Sequence, residues 1–351
     1  MLDMQDIESW IEDTQNIPVA ITLKLKLVSV EGEDAVVFPP TYAGNPPYVI
    51  DTLADGTKVA LIDSVGSQAN RMEPIFKDKP YSALVPQITI KAGNDKTISI
   101  FEVGHRMADA LVRSSKPVSG QVAQAFEALG KNDAEPMAKL APTSLVFGVW
   151  DSRGEGMKVP RLINSVIRAY DVTELTRSAQ YMPALMPEEY ATLMKLSDKE
   201  RKEMEAAQQG SKNRMAMAGF VPVPSTGTHG GIIARGGIYR TATINLVALR
   251  KLEGNNAAAL RRYVLGLALV AATWPQDGFL RQGCQLVVDP DQPRGWQAVY
   301  RDGRREDVDL SHVQAQTYAN QMAEAFGVGE SLEAEFDAKL AKEVLAQAKK
   351  G

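Results

Sequence analysis

The alternation Ile21-Thr22-Leu23-Lys24-Leu25-Lys26-Leu27 constrains the fold more than any other stretch. Successive side chains of a strand point to opposite faces. Ile21, Leu23, Leu25 and Leu27 therefore share one face, and Thr22, Lys24 and Lys26 the other. Ile17 to Val30 reads as a half-buried strand of an antiparallel sheet, packed on one side and open on the other. Ala257 to Trp274, AAALRRYVLGLALVAATW, reads as a buried helix. Strand-like and helical stretches in mixed order make the chain α+β.

Length and composition exclude several classes. At 351 residues, 44% hydrophobic and 23% charged, the chain can bury a large core and resembles an ordinary soluble protein. Its single cysteine, Cys284, allows no internal disulfide framework and fits a reducing compartment. The start, MLDMQDIESWIED, is acidic where a secretory leader is basic, and the most apolar helix is too short to cross a bilayer. The expectation is a cytoplasmic protein without a membrane. Its net charge of −4 is unevenly spread. Leu145 to Tyr300 holds 19 Lys and Arg against 14 Asp and Glu, whereas the remainder holds 20 against 29. A basic middle between acidic ends suits one anion-binding surface.

Further along the chain, Ala54-Asp-Gly-Thr57 reads as a hairpin turn leading into the strand Lys58 to Ile62. Val103 to Ser114 and Ser119 to Leu129 read as helices, Ser144 to Gly154 as strand-like, and Ser197 with Glu200 as the capping box of a charged helix. Gly219 to Gly237 reads as a long glycine-rich loop. Phe279 to Asp289 and Gly295 to Arg301 read as strands, and Val313 to Lys349 as alanine-rich helices. His105, His229 and His312 are widely spaced and without a CxxC or HExxH, so no metal site is expected. Neither a phosphate-cradling GxxxxGK[ST] nor a GxSxG elbow is present, and no cofactor is expected.

What remains is a set of donors at element edges. In DSVGSQANRMEPIF, Asp63 to Phe76, the residues Val65, Ala69, Met72 and Phe76 recur at helical spacing. Ser64, Ser67, Gln68 and Arg71 lie on a neighbouring face, with Asn70 beside them. His105, Arg106, Arg153, Lys158, Arg161, Ser165 and Arg168 follow, then His229, Gly230, Gly231, Arg235, Arg240 and Arg281. Such groups neutralise phosphates and hydrogen-bond sugars without reading bases, and glycine lets backbone N–H groups approach a phosphate. All eighteen are candidate contacts to a sugar–phosphate backbone, which the resemblance given next implies is RNA.

The ordered set of motifs resembles the backbone subunit of a type I CRISPR effector complex (Cascade), in particular subtype I-G, formerly I-U. The resemblance rests on DSVGSQANRME (63–73), GHRMADALVRS (104–114), FGVWDSRG with VPR and SVIRAYDV (147–172), GGIYRTATINLVAL (236–249) and FLRQGCQLVVD (279–289). SQANR is similar to the SSQ-type helix of other type I backbone subunits. The resemblance implies an RRM/ferredoxin-like antiparallel palm at about 17–62, 144–173 and 236–301. It also implies a helical finger region at 63–143, an inserted thumb at 174–235 and C-terminal helices at 313–349. Copies would stack helically along a CRISPR guide RNA and present it for pairing with target DNA. The guide-processing and large subunits would be partners, and the chain itself would have no catalysis. The alternative is a metal-dependent endoribonuclease of the type III kind, with Asp51 or Asp63 as the cutting residue. A filament without nucleic acid is a third reading.

Overall fold

The alternating strand runs from Ala20 to Ser29 at the centre of a nine-stranded, wholly antiparallel sheet. The computed structural model describes residues 4–12, 14, 16–93, 95–151, 156–207, 214–292 and 295–348. One edge of the central strand pairs along Ala20–Leu27 with Ile238–Asn245, which in turn pairs with Ile163–Tyr170. Lys58–Asp63 and Ile50–Thr52 complete that side through the Asp-Gly turn expected from the sequence. The other edge is divided. Trp296–Val299 pairs with Ala20–Leu23, and Cys284–Val288 with Leu27–Ser29, so the two partners diverge between them.

Ile21, Leu23, Ala242, Ile244 and Ile163 face a large apolar cluster that includes the core helix Ala257–Thr273, buried at Leu260 and from Tyr263 to Ala272. At the other end of the same face, Leu27, Ile167, Ile238, Ile62 and Cys284 form a second cluster. Thr22, Lys24, Asn164, Arg168, Tyr239, Thr241 and Thr243 occupy the opposite face and remain partly or fully exposed. The period-2 pattern thus sorts the residues as expected. A mixed α+β architecture with a curled antiparallel sheet follows.

Four segments differ from the sequence expectation, each where a local pattern is ambiguous. Ser144–Gly154 is not a strand throughout. Thr143–Phe147 is a helix with every residue buried, and Val149–Trp150 then pairs with Lys158–Val159 in a short hairpin. An apolar run buried on all sides carries no period to tell helix from strand. Gly219–Gly237 is not a loop throughout: Val223–Ala234 is a twelve-residue strand paired with Val172–Tyr181. Phe279–Asp289 is two strands folded back at Gly283. Between the C-terminal helices His312–Phe326 and Ala338–Ala348 lies a strand, Leu332–Phe336, parallel to Ile88–Lys91. That pairing makes a four-stranded side sheet, so the 63–143 stretch contributes strands as well as helices.

The paired strands 172–181 and 223–234 form an arm, ten residues on its shorter side and so reaching roughly 33 Å. It ends in short helices around their own cluster of Ala191, Met204, Ala216 and Val221. The expected capping box is present there, Ser197 Oγ accepting from Glu200 N–H at 3.4 Å and Glu200 Oε2 from Ser197 N–H at 2.8 Å.

His312 ties the C-terminal helix to the body. Its Nε2 lies 2.7 Å from the Tyr81 hydroxyl and its Nδ1 2.9 Å from Thr273 Oγ1. Burial lowers its pKa below the ordinary 6.5. The unfolded chain therefore binds the proton first, and stability present above pH 6.5 is lost as pH falls below it. The expected result is a melting temperature that declines between pH 7.5 and 5, with a smaller decline in His312→Gln. Equal pH profiles for the two proteins would remove this histidine from the account.

Candidate nucleic-acid interface

The expected donors separate into an interior set and a surface set. In the motif helix Val65–Met72, Ser64 is the N-cap, its hydroxyl accepting from Ser67 N–H at 3.2 Å. Gln68 is fully buried. Its amide donates to Asp63 Oδ2 at 2.7 Å, and its carbonyl accepts from Ser165 Oγ at 2.8 Å. Ser165 in turn accepts from Arg240 Nε at 3.0 Å. Arg71 donates to Asp63 at 3.0 Å and to Leu280 O at 2.8 Å, while Arg281 lies 3.6 Å from Asp63 and donates to Phe38 O and Ile62 O. A polar seam thus runs between the two apolar clusters, and Gln68, Arg71, Ser165, Arg240 and Arg281 hold elements to one another. Asn70 alone of the motif points fully outward.

Arg106 belongs inside as well. It is buried against Glu73 at 2.7 Å and donates to Gly148 O at 3.1 Å. Burial pushes the Glu73 carboxyl up despite the guanidinium beside it. In the arm, Gly230 and Gly231 are buried where a Cβ would meet the Thr176 backbone at 2.6 Å and Val36 at 2.6 Å. Close packing of the arm on the Val36–Phe38 segment requires glycine there. The His229 ring lies tilted against Tyr48, their centroids 4.8 Å apart. Arg235 is exposed at the base of the arm. Arg153 lies outside the described residues.

Three of the remaining candidates, His105, Lys158 and Arg161, converge on one cleft, while Asn70, Arg168 and Arg235 are exposed elsewhere. Gly104, His105 and Arg106 on one side, and Gly148 to Trp150 with Lys158 to Arg161 on the other, line a cleft of about 550 Å³. The hairpin Val149–Trp150 with Lys158–Val159 holds its far wall. Trp150 is 54% exposed, and Lys158 Nζ lies 5.6 Å from its ring centroid. Arg161 is anchored by Nε to Phe147 O at 3.0 Å; burial, then the neighbouring Arg106 charge, push its pKa down. No carboxylate lines the cleft among the described residues. Three residues beyond Arg161, Asn164 begins the open sheet face, which Arg168 and Lys24 continue. Lys24 Nζ sits 4.6 Å over the Tyr239 ring, and Tyr239 meets Tyr170 edge-on at 5.9 Å.

Cations beside an exposed indole, with no carboxylate lining, are equipped to neutralise phosphates and stack one base. Sequence reasoning missed Trp150, Tyr239 and Lys24. An exposed tryptophan beside a lysine was the available signal for the first. Among the described residues no three His, Cys, Asp or Glu side chains gather as metal ligands would, and no helix is long and apolar enough to cross a membrane.

Residues 21–174 match the family model described as CRISPR-associated protein GSU0053. The chain is also similar to a chain of the solved structure "CRISPR RNA-guided surveillance complex, pre-nicking". That similarity is 11% in sequence identity with a TM-score of 0.34, covering 94% of this chain and 99% of the other. No curated protein matches the chain.

Proposed function

We propose that this chain is a guide-RNA-binding structural subunit of a CRISPR effector complex, of the type I backbone kind and subtype I-G. Copies would line up along the RNA, grip its sugar–phosphate backbone whatever the spacer, and leave the bases to pair with target DNA. The observation that carries the reading is the cleft where His105, Lys158, Arg161 and the exposed Trp150 meet. The CRISPR-associated family model, which spans that cleft, agrees with it. One indole rather than a row of aromatics holds a single base and frees the rest. The arm, with Tyr181, Met182, Met186, Leu193 and Met217 exposed near its tip, is the element long enough to reach a neighbouring copy. No catalytic step is part of the proposal. Of the two aspartates of the nuclease alternative, Asp63 is 1% exposed and held by Gln68, Arg71 and Arg281, whereas Asp51 stands exposed on the edge strand Ile50–Thr52.

The first test is recovery of spacer–repeat RNA with the chain purified from cells carrying its CRISPR locus; nucleic-acid-free protein at moderate salt counts against the reading. The second is filter binding to two guides with unrelated spacers. Trp150→Ala is expected to weaken both alike by about 1–3 kcal/mol. Lys158→Ala should reduce the slope of log affinity against log salt by about 0.7, one phosphate contact. Lys131→Ala, an exposed lysine paired with Glu127, serves as the control. If folded Trp150→Ala and Lys158→Ala both bind as Lys131→Ala does, the cleft is not the interface.

A further inference from the structure

The divergence of the two strands beside the central strand opens a second cavity, of about 370 Å³, on the packed face of the sheet. Leu23, Leu25 and Leu27 form its floor, with Leu286, Trp296 and Leu310 among its walls. Arg240 reaches it from the neighbouring strand. This arginine is 6% exposed, and its guanidinium bonds only to neutral groups: Ser165 Oγ at 3.0 Å, Ala272 O at 3.3 Å and Met72 Sδ at 3.6 Å. Among the described residues it has no carboxylate partner. Asp63, the nearby buried acid, is already shared between Arg71 and Arg281. Gln276 also lines the cavity, and its amide nitrogen is buried without a hydrogen-bond acceptor.

A buried cation whose partners are all neutral leaves its charge uncompensated, and an amide N–H buried without an acceptor is similarly costly. Both deficits face one apolar chamber whose volume lies in the range of small-molecule sites, roughly 300–1,000 Å³. We propose that this cavity binds a small organic monocarboxylate. Its anionic head would lie on Arg240 and the Gln276 amide, and its aliphatic or aromatic body among the leucines. A polyphosphate or nucleic acid does not suit it, because among the described residues one guanidinium is the only cation lining the chamber and most of the walls are apolar. Asp277 lines it too, with its carboxylate turned to accept Phe279 N–H at 3.1 Å, so the anion must sit at the Arg240 end. The site lies on the face of the sheet opposite Lys24 and Arg168 and does not depend on the RNA reading.

Trp274 and Trp296 both line the cavity and report on its occupancy. The test titrates the full chain with octanoate, with octanol as the neutral chain of equal length and with inorganic phosphate, reading tryptophan fluorescence and heat. Octanoate is expected to bind at least about tenfold more tightly than octanol, and phosphate not at all. Gln276→Leu should weaken octanoate about tenfold and leave octanol unchanged, the loss of one bond to a charged group. Leu25→Trp, which fills the chamber, should abolish both. Equal affinities for octanoate and octanol would overturn the anion site. So would phosphate binding as well as octanoate does, or no octanoate binding at millimolar concentration by a folded chain.

Discussion

Asp63→Ala is expected to lower the stability of the fold by about 3–5 kcal/mol, the cost of leaving a buried charge uncompensated. The carboxylate is 1% exposed. It accepts from Gln68 Nε2 at 2.7 Å and Arg71 Nε at 3.0 Å, with Arg281 at 3.6 Å. Its removal would leave the Gln68 amide only a long contact to Gln276 Oε1 at 3.5 Å, and two guanidiniums without their shared counter-charge. Arg71→Ala should cost less, because its side chain is 31% exposed and Arg281 stays beside Asp63. Urea unfolding of both variants is the measurement. A loss below about 1 kcal/mol for Asp63→Ala would show that the seam carries little. The same series bears on the motif helix. Folded Arg71→Ala is expected to bind RNA nearly as wild type does, since Nε, Nη1 and Nη2 all engage protein groups.

Gly278→Ala is expected to be the second most damaging change, at about 2–5 kcal/mol. Gly278 has φ of +74°, and a Cβ there would stand 1.8 Å from Leu286 O. The left-handed conformation alone costs an alanine roughly 1–2 kcal/mol. The collision is with backbone, so relief requires moving the Phe279–Val288 hairpin, an overpacking cost of about 1–3 kcal/mol. Leu286 N–H donates to Gly278 O at 3.0 Å, and that bond would be strained at the same time. Because Leu280 O holds Arg71, the effect should reach the polar seam. Thermal melting is the check; a variant that melts within about one degree of wild type would mean the hairpin yields freely.

The elements legible in the chain are those whose signal is local. The central strand shows its period, the core helix its length of apolar residues, the 55–56 turn its Asp-Gly, and the charged helix its capping box. What misleads is equally specific. Gly219–Gly237 has loop composition, yet Val223–Ala234 becomes a strand because Val172–Tyr181, some fifty residues earlier, offers its ladder. Leu332–Phe336 becomes a strand because Ile88–Lys91 lies open beside it. Neither partner can be found from spacing along the chain.

The candidate site divides along the same line. The residue types were readable: Arg, Lys, Ser and Gln at the edges of elements, with His105, Lys158 and Arg161 among them. Which way each faces was not. Helical spacing brings Ser67, Gln68 and Arg71 to one side of a helix, but Ser165 and Leu280, almost a hundred and more than two hundred residues onward, make that side an interior one. Arg168 and Arg240 stand on adjacent strands, and the register of the sheet sends one to solvent and the other to the core. Side-chain chemistry is a property of the residue, so composition and motif order supply the donor types that the proposed RNA binding needs. Exposure is a property of the packing around the residue, so only the tertiary structure decides that Trp150 and Lys158 face solvent, with Arg161 lining the same cleft.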